Sequence, residues 1–351
     1  MKVILPCCGR SSRFPNQPPK WMLPAHDGRP MLTLAVSKIR VALEDLVVAI
    51  LREHETKYQV QKGLEAAFGA PIRTVIIEEP TRSQPETVAR TLEALALDEP
   101  FLVKDSDNMF ALDEPAQDTN YVCVDSLNNY DMINPRNKSY LQVDHKGVVT
   151  NIREKVVISD LFSVGGYGFL SPAQFLEYYR RLIQNTAEWQ RELYTSDIIG
   201  AMILDGQPFR ALPITGYQDW GTITEWRRAL LSRTTYFVSV DGFVFERGSE
   251  HFSPGFADVR ANAEAVEALK ELARRGHTLV FLSIRPPSLA EMTARQLADV
   301  GLSGQIVYGC PIASWNLVTA PHPTLPFQTA RALEQSPDDP NLLAKITGEN
   351  V

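Results

Sequence analysis

The chain has 351 residues, 44% of them hydrophobic and 22% charged, and a formal net charge of −7. That length asks for two domains of ordinary globular composition, and the acidic balance excludes a global electrostatic attraction to nucleic acid. No apolar run approaches a membrane span and no charged-then-apolar leader opens the sequence, so a cytoplasmic protein without membrane partners is expected.

In chain order, buried-strand patterns are predicted over residues 3–6, 46–51, 72–77, 101–104 and 121–124, with helical periodicity over 31–41, 56–68 and 86–95. Such alternation implies a largely parallel sheet with helices on both faces. From residue 140 to 169 the pattern changes to short strands, and Asp144-His145-Lys146-Gly147 is a hairpin turn between 140–143 and 148–152. Helices return over 172–184 and 196–204, and a last strand over 209–213 leads to Tyr217-Gln218-Asp219-Trp220-Gly221-Thr222. A second αβ block is predicted past residues 231–235, with strands over 236–240, 278–282 and 305–308 and helices over 261–275 and 288–300. Two domains, 1–232 and 233–351, are therefore expected, the second ending in a polar tail that contains Pro337-Asp338-Asp339-Pro340.

The most informative segment follows the first strand: Cys7-Cys8-Gly9-Arg10-Ser11-Ser12-Arg13-Phe14, then Pro19-Lys20-Trp21-Met22-Leu23. Small residues let backbone N–H groups approach phosphate oxygens, and the cations Arg13 and Lys20 neutralise charge that builds on a phosphoryl group under attack. The segment is neither a Walker A loop nor a dinucleotide fingerprint. Four cysteines (Cys7, Cys8, Cys123, Cys310) lack Cys-x-x-Cys spacing and read as reduced, buried residues rather than a disulfide frame or zinc site.

Further along, Gln84 in Thr81-Arg82-Ser83-Gln84-Pro85-Glu86-Thr87 carries the donor and acceptor needed for a base edge. The same residues also make an ordinary capped helix start. Lys104-Asp105-Ser106-Asp107-Asn108 sets two carboxylates at the C-terminal edge of a strand, where open α/β sheets bind ligands, although it is also common turn chemistry. Thr195-Ser196-Asp197 reads as a helix cap.

The first segment resembles the signature of the sugar-phosphate nucleotidylyltransferases, Gly-x-Gly-Ser/Thr-Arg followed by Pro-Lys-x-Leu. Gly9, Ser12, Arg13, Pro19, Lys20 and Leu23 match, and Ser11 replaces the second glycine. Four further segments follow in the family's order over roughly the first 230 residues. The resemblance implies a Rossmann-like, mixed but mostly parallel α/β domain. It implies nucleotide binding by Cys8, Gly9, Ser11, Ser12, Gln84 and Glu86, and catalytic cations at Arg13, Lys20 and Lys155. It makes Asp107 (with Asp105 the alternate) and Asp219 of Asp219-Trp220-Gly221-Thr222 ligands of Mg²⁺. From Arg153-Glu154-Lys155 and Gly165-Gly166-Tyr167-Gly168-Phe169 it implies acceptor binding by Glu154, Lys155 and Gly166.

The activity implied is transfer of NMP from an NTP to a phosphate monoester with release of pyrophosphate, making an activated precursor for surface polysaccharide. The acceptor is a sugar 1-phosphate or a non-sugar phosphate such as phosphocholine or a phosphorylated amino-acid derivative, with CTP the favoured triphosphate. The competing reading is a nucleotide-binding regulatory protein without turnover.

In the second domain, Ser239-Val240-Asp241-Gly242 resembles the first motif of haloacid-dehalogenase-like phosphatases with Ser239 at the nucleophile, and Asp241 matches the general acid/base. Ser283-Ile284-Arg285-Pro286 resembles the second motif. Tyr308-Gly309-Cys310-Pro311 has Cys310 in place of a lysine, and no carboxylate stands near Val318-Thr319 where the metal-binding acids belong. A serine forms no aspartyl-phosphate, so a catalytically inactive small α/β domain is expected, serving packing, homo-oligomerisation or small-ligand binding.

Overall fold

The computed structural model describes residues 1–9, 13–14, 17–130, 134–184, 192–310, 315–320 and 330–348. It divides into two compact units, Met1–Trp226 and Arg227–Val351.

The first unit runs β1 (Lys2–Pro6), α1 (Met31–Val36), β2 (Leu46–Leu51), α2 (Arg52–Tyr58), α3 (Val60–Phe68), β3 (Arg73–Ile77), α4 (Gln84–Leu95), β4 (Phe101–Lys104), β5 (Asn108–Ala111) and β6 (Asn120–Ser126). It continues with β7 (Ser139–Val143), β8 (Val149–Glu154), β9 (Leu161–Phe169), α5 (Pro172–Gln184), α6 (Thr195–Leu204), β10 (Phe209–Pro213) and β11 (Thr215–Asp219). The division between the units falls within α7 (Ile223–Leu231).

Nine strands form the main sheet, in the order β10-β6-β9-β4-β1-β2-β3, with β7 paired to β9 and β8 to β7. Strands β4, β1, β2 and β3 are mutually parallel, as are β10 and β6, and β9 runs antiparallel between the two groups. Two apolar layers sandwich this sheet because its strands alternate. Ile4, Val47 and Val103 face one way, onto α4, α5 and α6, whereas Val3, Leu5, Val48 and Leu102 face the other, onto α1 and α3. Each fully buried Leu, Ile or Val contributes about 1.5–3 kcal/mol to holding the sheet.

The order reverses at β1: the chain proceeds to β2 and β3 on one side and returns to β4 on the other. Ligands of open α/β sheets sit outside the carboxyl ends of the strands at such a switch point. The loop after β1 and the turn after β4 are therefore placed together by topology.

Several bounds differ from expectation for local reasons. The helix predicted over 56–68 is two helices, because Gln59 adopts a left-handed conformation (φ +50°) that ends α2 and opens α3. The helix predicted over 31–41 stops at Val36.

The second unit holds β12 (Thr235–Ser239), α8 (Ala263–Arg274), β13 (Thr278–Leu282), α9 (Ala290–Asp299), β14 (Gln305–Val307) and α10 (Leu342–Thr347). Its three strands are parallel in the order β12-β13-β14. The C-terminal stretch is not wholly the expected polar tail, because Leu342 and Ile346, four residues apart, bury one face of α10 in the core that contains α8. Among the described residues no helix is long and apolar enough to cross a membrane.

Candidate active site

The turn between β4 and β5 is built on a buried lysine. Lys104 Nζ donates to the carbonyls of Asp105 (2.6 Å) and Asn108 (2.9 Å) and to Asn108 Oδ1 (2.6 Å), and it lies 4.7 Å from the Phe110 ring centre. Burial pulls its ammonium down to about 8, with Asp105 and Asp107 opposing that change. These bonds fold the turn so that Asp105 and Asp107 present their carboxylates at the sheet edge.

A separate two-stranded ladder brings in the second acid. Antiparallel pairing of β11 with β5 sets Asp219 opposite Asn108, and the Trp220 N–H donates to the Asp107 carbonyl at 2.8 Å. The point where a Cβ on Gly221 would lie is 3.2 Å from Asp219 Oδ1, 3.4 Å from Asp107 Oδ2 and 3.6 Å from Arg13 Nη1. Two carboxylates and a guanidinium thus converge on one glycine.

Each carboxylate is also paired with a lysine, Asp107 with Lys20 and Asp219 with Lys138. Burial raises the Asp107 carboxyl, but the charge and hydrogen bond of Lys20 outweigh it and hold the group down at about 2. Asp105, the alternate in the sequence reading, goes the other way. Burial and the charge of Asp107 push it up to about 6, and Gln84 Nε2 donates to it.

The other residues expected at the site fall into groups. The Gln84 amide is engaged at both ends, since its carbonyl oxygen accepts from Thr195 Oγ1 at 2.7 Å while its nitrogen serves Asp105. Glu86 accepts from the Arg82 N–H at 2.7 Å and from Arg90 at 2.6 Å, so in this arrangement it closes the N-terminus of α4. Cys8 is fully buried and its thiol is pushed up to about 12 by that burial, so its backbone is what the loop can offer a ligand. Gly9 is exposed, with open space where a Cβ would stand. Ser11 and Ser12 lie outside the described residues.

Of the residues expected to bind the acceptor, Glu154 accepts from the hydroxyls of Ser139 and Ser196. Lys155, in a left-handed conformation (φ +57°), donates to Tyr194 Oη at 2.5 Å with its ammonium 4.3 Å from that ring's centre. A Cβ on Gly166 would run into Phe110 (2.7 Å) and Cys123 (2.9 Å), so that glycine lets the sheet pack. Gly165 is the one beside the carboxylate turn: a Cβ there would strike Asp105 and come within 2.7 Å of Asn108.

Sequence reasoning missed Lys138, Thr195, Tyr194 and Gly165. The segment read only as a helix cap joins three of the expected residues, because the start of α6 supplies the partners of Gln84, Glu154 and Lys155.

No protein-family model matches the sequence, and no curated protein matches it. Solved structures do. A nucleoside-diphosphate-sugar pyrophosphorylase from Vibrio cholerae is similar at a TM-score of 0.53 and 23% identity, over 65% of this chain and 99% of that one. The inositol-1-phosphate CTP transferase from T. maritima is similar at a TM-score of 0.50 and 10% identity, over 64% of this chain and 90% of that one. The chain shares their mixed α/β fold with its mostly parallel central sheet.

In the second unit, residues of the two segments expected to be phosphatase-like meet one another. Arg285 Nε pairs with Asp241 Oδ1 at 2.7 Å, with the two side chains 0% and 1% exposed. The second oxygen, Oδ2, accepts from Ser283 Oγ at 3.0 Å, and the Ser239 hydroxyl donates to the Asp241 carbonyl at 2.9 Å. Arg285 Nη1 reaches Gln296 at 2.5 Å, and the guanidinium carbon lies 5.1 Å from the Phe256 ring centre.

Proposed function

We propose that the first unit is a nucleotidylyltransferase that moves NMP from a nucleoside triphosphate to a phosphate monoester. The observation that carries this reading is the convergence of Asp107, Asp219 and Arg13 on Gly221, with Lys20 beside it, at the switch point of the sheet.

The donor set fits a hard divalent cation. Among the described residues no cluster of three or more histidines, cysteines or acids is arranged to hold a metal. Two carboxylates whose oxygens face one point suit Mg²⁺, which takes one or two protein oxygens and completes its shell with phosphate and water. Asp107 and Asp219 would hold it, and it would neutralise charge on the triphosphate and polarise the α-phosphorus.

A phosphate oxygen of the acceptor attacks the α-phosphorus, the bond to the bridging α–β oxygen breaks, and pyrophosphate leaves with the electron pair. The nucleophile is already anionic, so no general base is required. What the chain must supply is in-line placement and charge neutralisation. Arg13 and Lys20 suit the triphosphate, and Lys155, steadied against Tyr194, suits the acceptor phosphate. The second unit we read as a phosphatase-like domain without turnover. Its acid Asp241 is committed to Arg285, and Ser239 has no carboxylate to phosphorylate.

Pyrophosphate release with Mg²⁺, crossing four NTPs and dTTP against sugar 1-phosphates and small phosphomonoesters, tests the reading. Release confined to one pair is expected, and names both substrates. CTP with a non-sugar acceptor belongs on that panel alongside the sugar phosphates. Tight nucleotide binding without release for any pair would favour the regulatory alternative.

A further inference from the structure

Lys138 belongs to none of the segments that carry the nucleotidyl-transfer reading, yet it is the more enclosed of the two lysines that pair with Asp107 and Asp219. Its side chain is 7% exposed, against 24% for Lys20, and Asp219 is 19% exposed. Its ammonium pairs with Asp219 Oδ2, donates to Tyr217 Oη at 2.5 Å, and lies 5.0 Å and 5.8 Å from the ring centres of Tyr217 and Phe162. Its own carbonyl accepts the N–H of Lys155 at 2.9 Å. Lys138 therefore joins the second carboxylate to the hairpin end that bears Lys155.

This geometry sets a competition. Lys138 holds Oδ2 of Asp219 and the Gly221 N–H donates to Oδ1 at 3.0 Å, so a divalent cation at Asp219 must share a carboxylate whose charge an ammonium already offsets, which makes it a poorer metal ligand. An ammonium this enclosed is costly to leave without an anion. The anion that the proposed reaction brings to this hairpin is the acceptor phosphate.

We propose that Lys138 is a further phosphate-binding cation, held by Asp219 and handed to the acceptor phosphate when Asp219 turns to the metal. Metal and acceptor binding are coupled through this one side chain. The proposal rests on the nucleotidyl-transfer reading.

The test is Mn²⁺ binding to the full chain, followed by electron paramagnetic resonance, with and without inorganic sulfate as a dianion probe. In the wild type, sulfate raises Mn²⁺ affinity. In Lys138→Met, Mn²⁺ binds about tenfold tighter without sulfate, as expected for one displaced ion pair, and the sulfate effect is gone. In turnover, the acceptor KM rises in the same variant.

Metal affinity and acceptor affinity thus move in opposite directions, whereas a lysine that only supports the fold would weaken both. Lys138→Gln, which keeps donors for Asp219 and Tyr217 without the charge, carries the same expectation should the methionine variant fail to fold. Mn²⁺ affinity unchanged or weakened in a folded variant overturns the proposal, as does a wild type whose Mn²⁺ binding ignores sulfate. A wild type that binds no Mn²⁺ even with CTP overturns the metal reading of Asp107 and Asp219 as well, so the two failures are told apart.

Discussion

Both units place an acid and a cation at the carboxyl end of a parallel sheet, and they use the pair in opposite ways. In the first unit Asp107 and Asp219 hold lysines while remaining 15% and 19% exposed, with Asp107 Oδ2 and Asp219 Oδ1 turned toward Gly221. In the second, Asp241 and Arg285 are sealed among Phe245, Phe256 and Gln296. The lesson concerns exchangeability. An ion pair at a partly wet edge can trade its cation for a ligand, whereas a dry pair can only be broken at the full cost of an uncompensated buried charge.

The largest effect that sharpens this contrast is on turnover. Asp107→Asn or Asp219→Asn is expected to lower Mg²⁺-dependent pyrophosphate release about a thousandfold, with the chain still folded. Turnover at the wild-type level in either variant would sink the metal assignment.

The second effect is on stability. Asp241→Leu or Arg285→Met alone should destabilise the second unit by about 3–5 kcal/mol in chemical denaturation of the full chain, because each leaves a buried charge alone. The double substitution should recover most of the loss, and simple additivity of the two singles would refute the sealed-pair account.

A third probe fills the point of convergence. Gly221→Ala puts a methyl group 3.2 Å from Asp219 Oδ1 and 3.4 Å from Asp107 Oδ2, in a residue whose backbone is not left-handed. Activity is expected to fall about tenfold to a hundredfold through displaced carboxylates, with denaturation nearly unchanged. A fully active alanine variant would show that Gly221 does not border the reacting groups.

The smallest effect comes from a buried histidine. His54 is buried, its Nδ1 has no hydrogen-bond partner, and burial holds its imidazole below the ordinary range, with Glu53 opposing and Lys57 adding. A base whose folded pKa is depressed contributes stability above its unfolded pKa and loses it as pH falls. Melting temperature should therefore drop between about pH 7.5 and pH 5.5 less steeply in His54→Phe than in the wild type. Equal slopes would show that His54 charges as easily in the fold as out of it.

How far the sequence could be read depended on whether a residue's signal is local. Asp107 and Lys20 could be named as candidates from the resemblance that their segments carry, although their pairing across 87 positions could not. The sheet was legible, since its strands are apolar runs with clear periodicity. Lys138 was not, since a lone lysine after Asn134-Pro135-Arg136-Asn137 gives no sign of a carboxylate 81 positions away. Gly165 and Gly166 could not be told apart either. Which one meets the carboxylate turn depends on how the irregular β6–β9 pairing, shifted between Val122 and Val124, sets the pleat. The α6 cap was visible as chemistry, but its contacts with Gln84 and Glu154 come from packing of distant segments.

The β5–β11 ladder also bears on how the protein comes into being. Asp107 emerges from the ribosome in the middle of the first unit, but the strand that carries Asp219 is the last one that unit adds. A nascent chain can complete β1 to β4 and fold its carboxylate turn on Lys104 well before the second acid exists. The pairing that joins them is non-local, and closing it belongs to the late steps of assembly. The protein therefore gains its paired carboxylates only once the whole first unit is in place, so a chain truncated before β11 would carry Asp107 without Asp219.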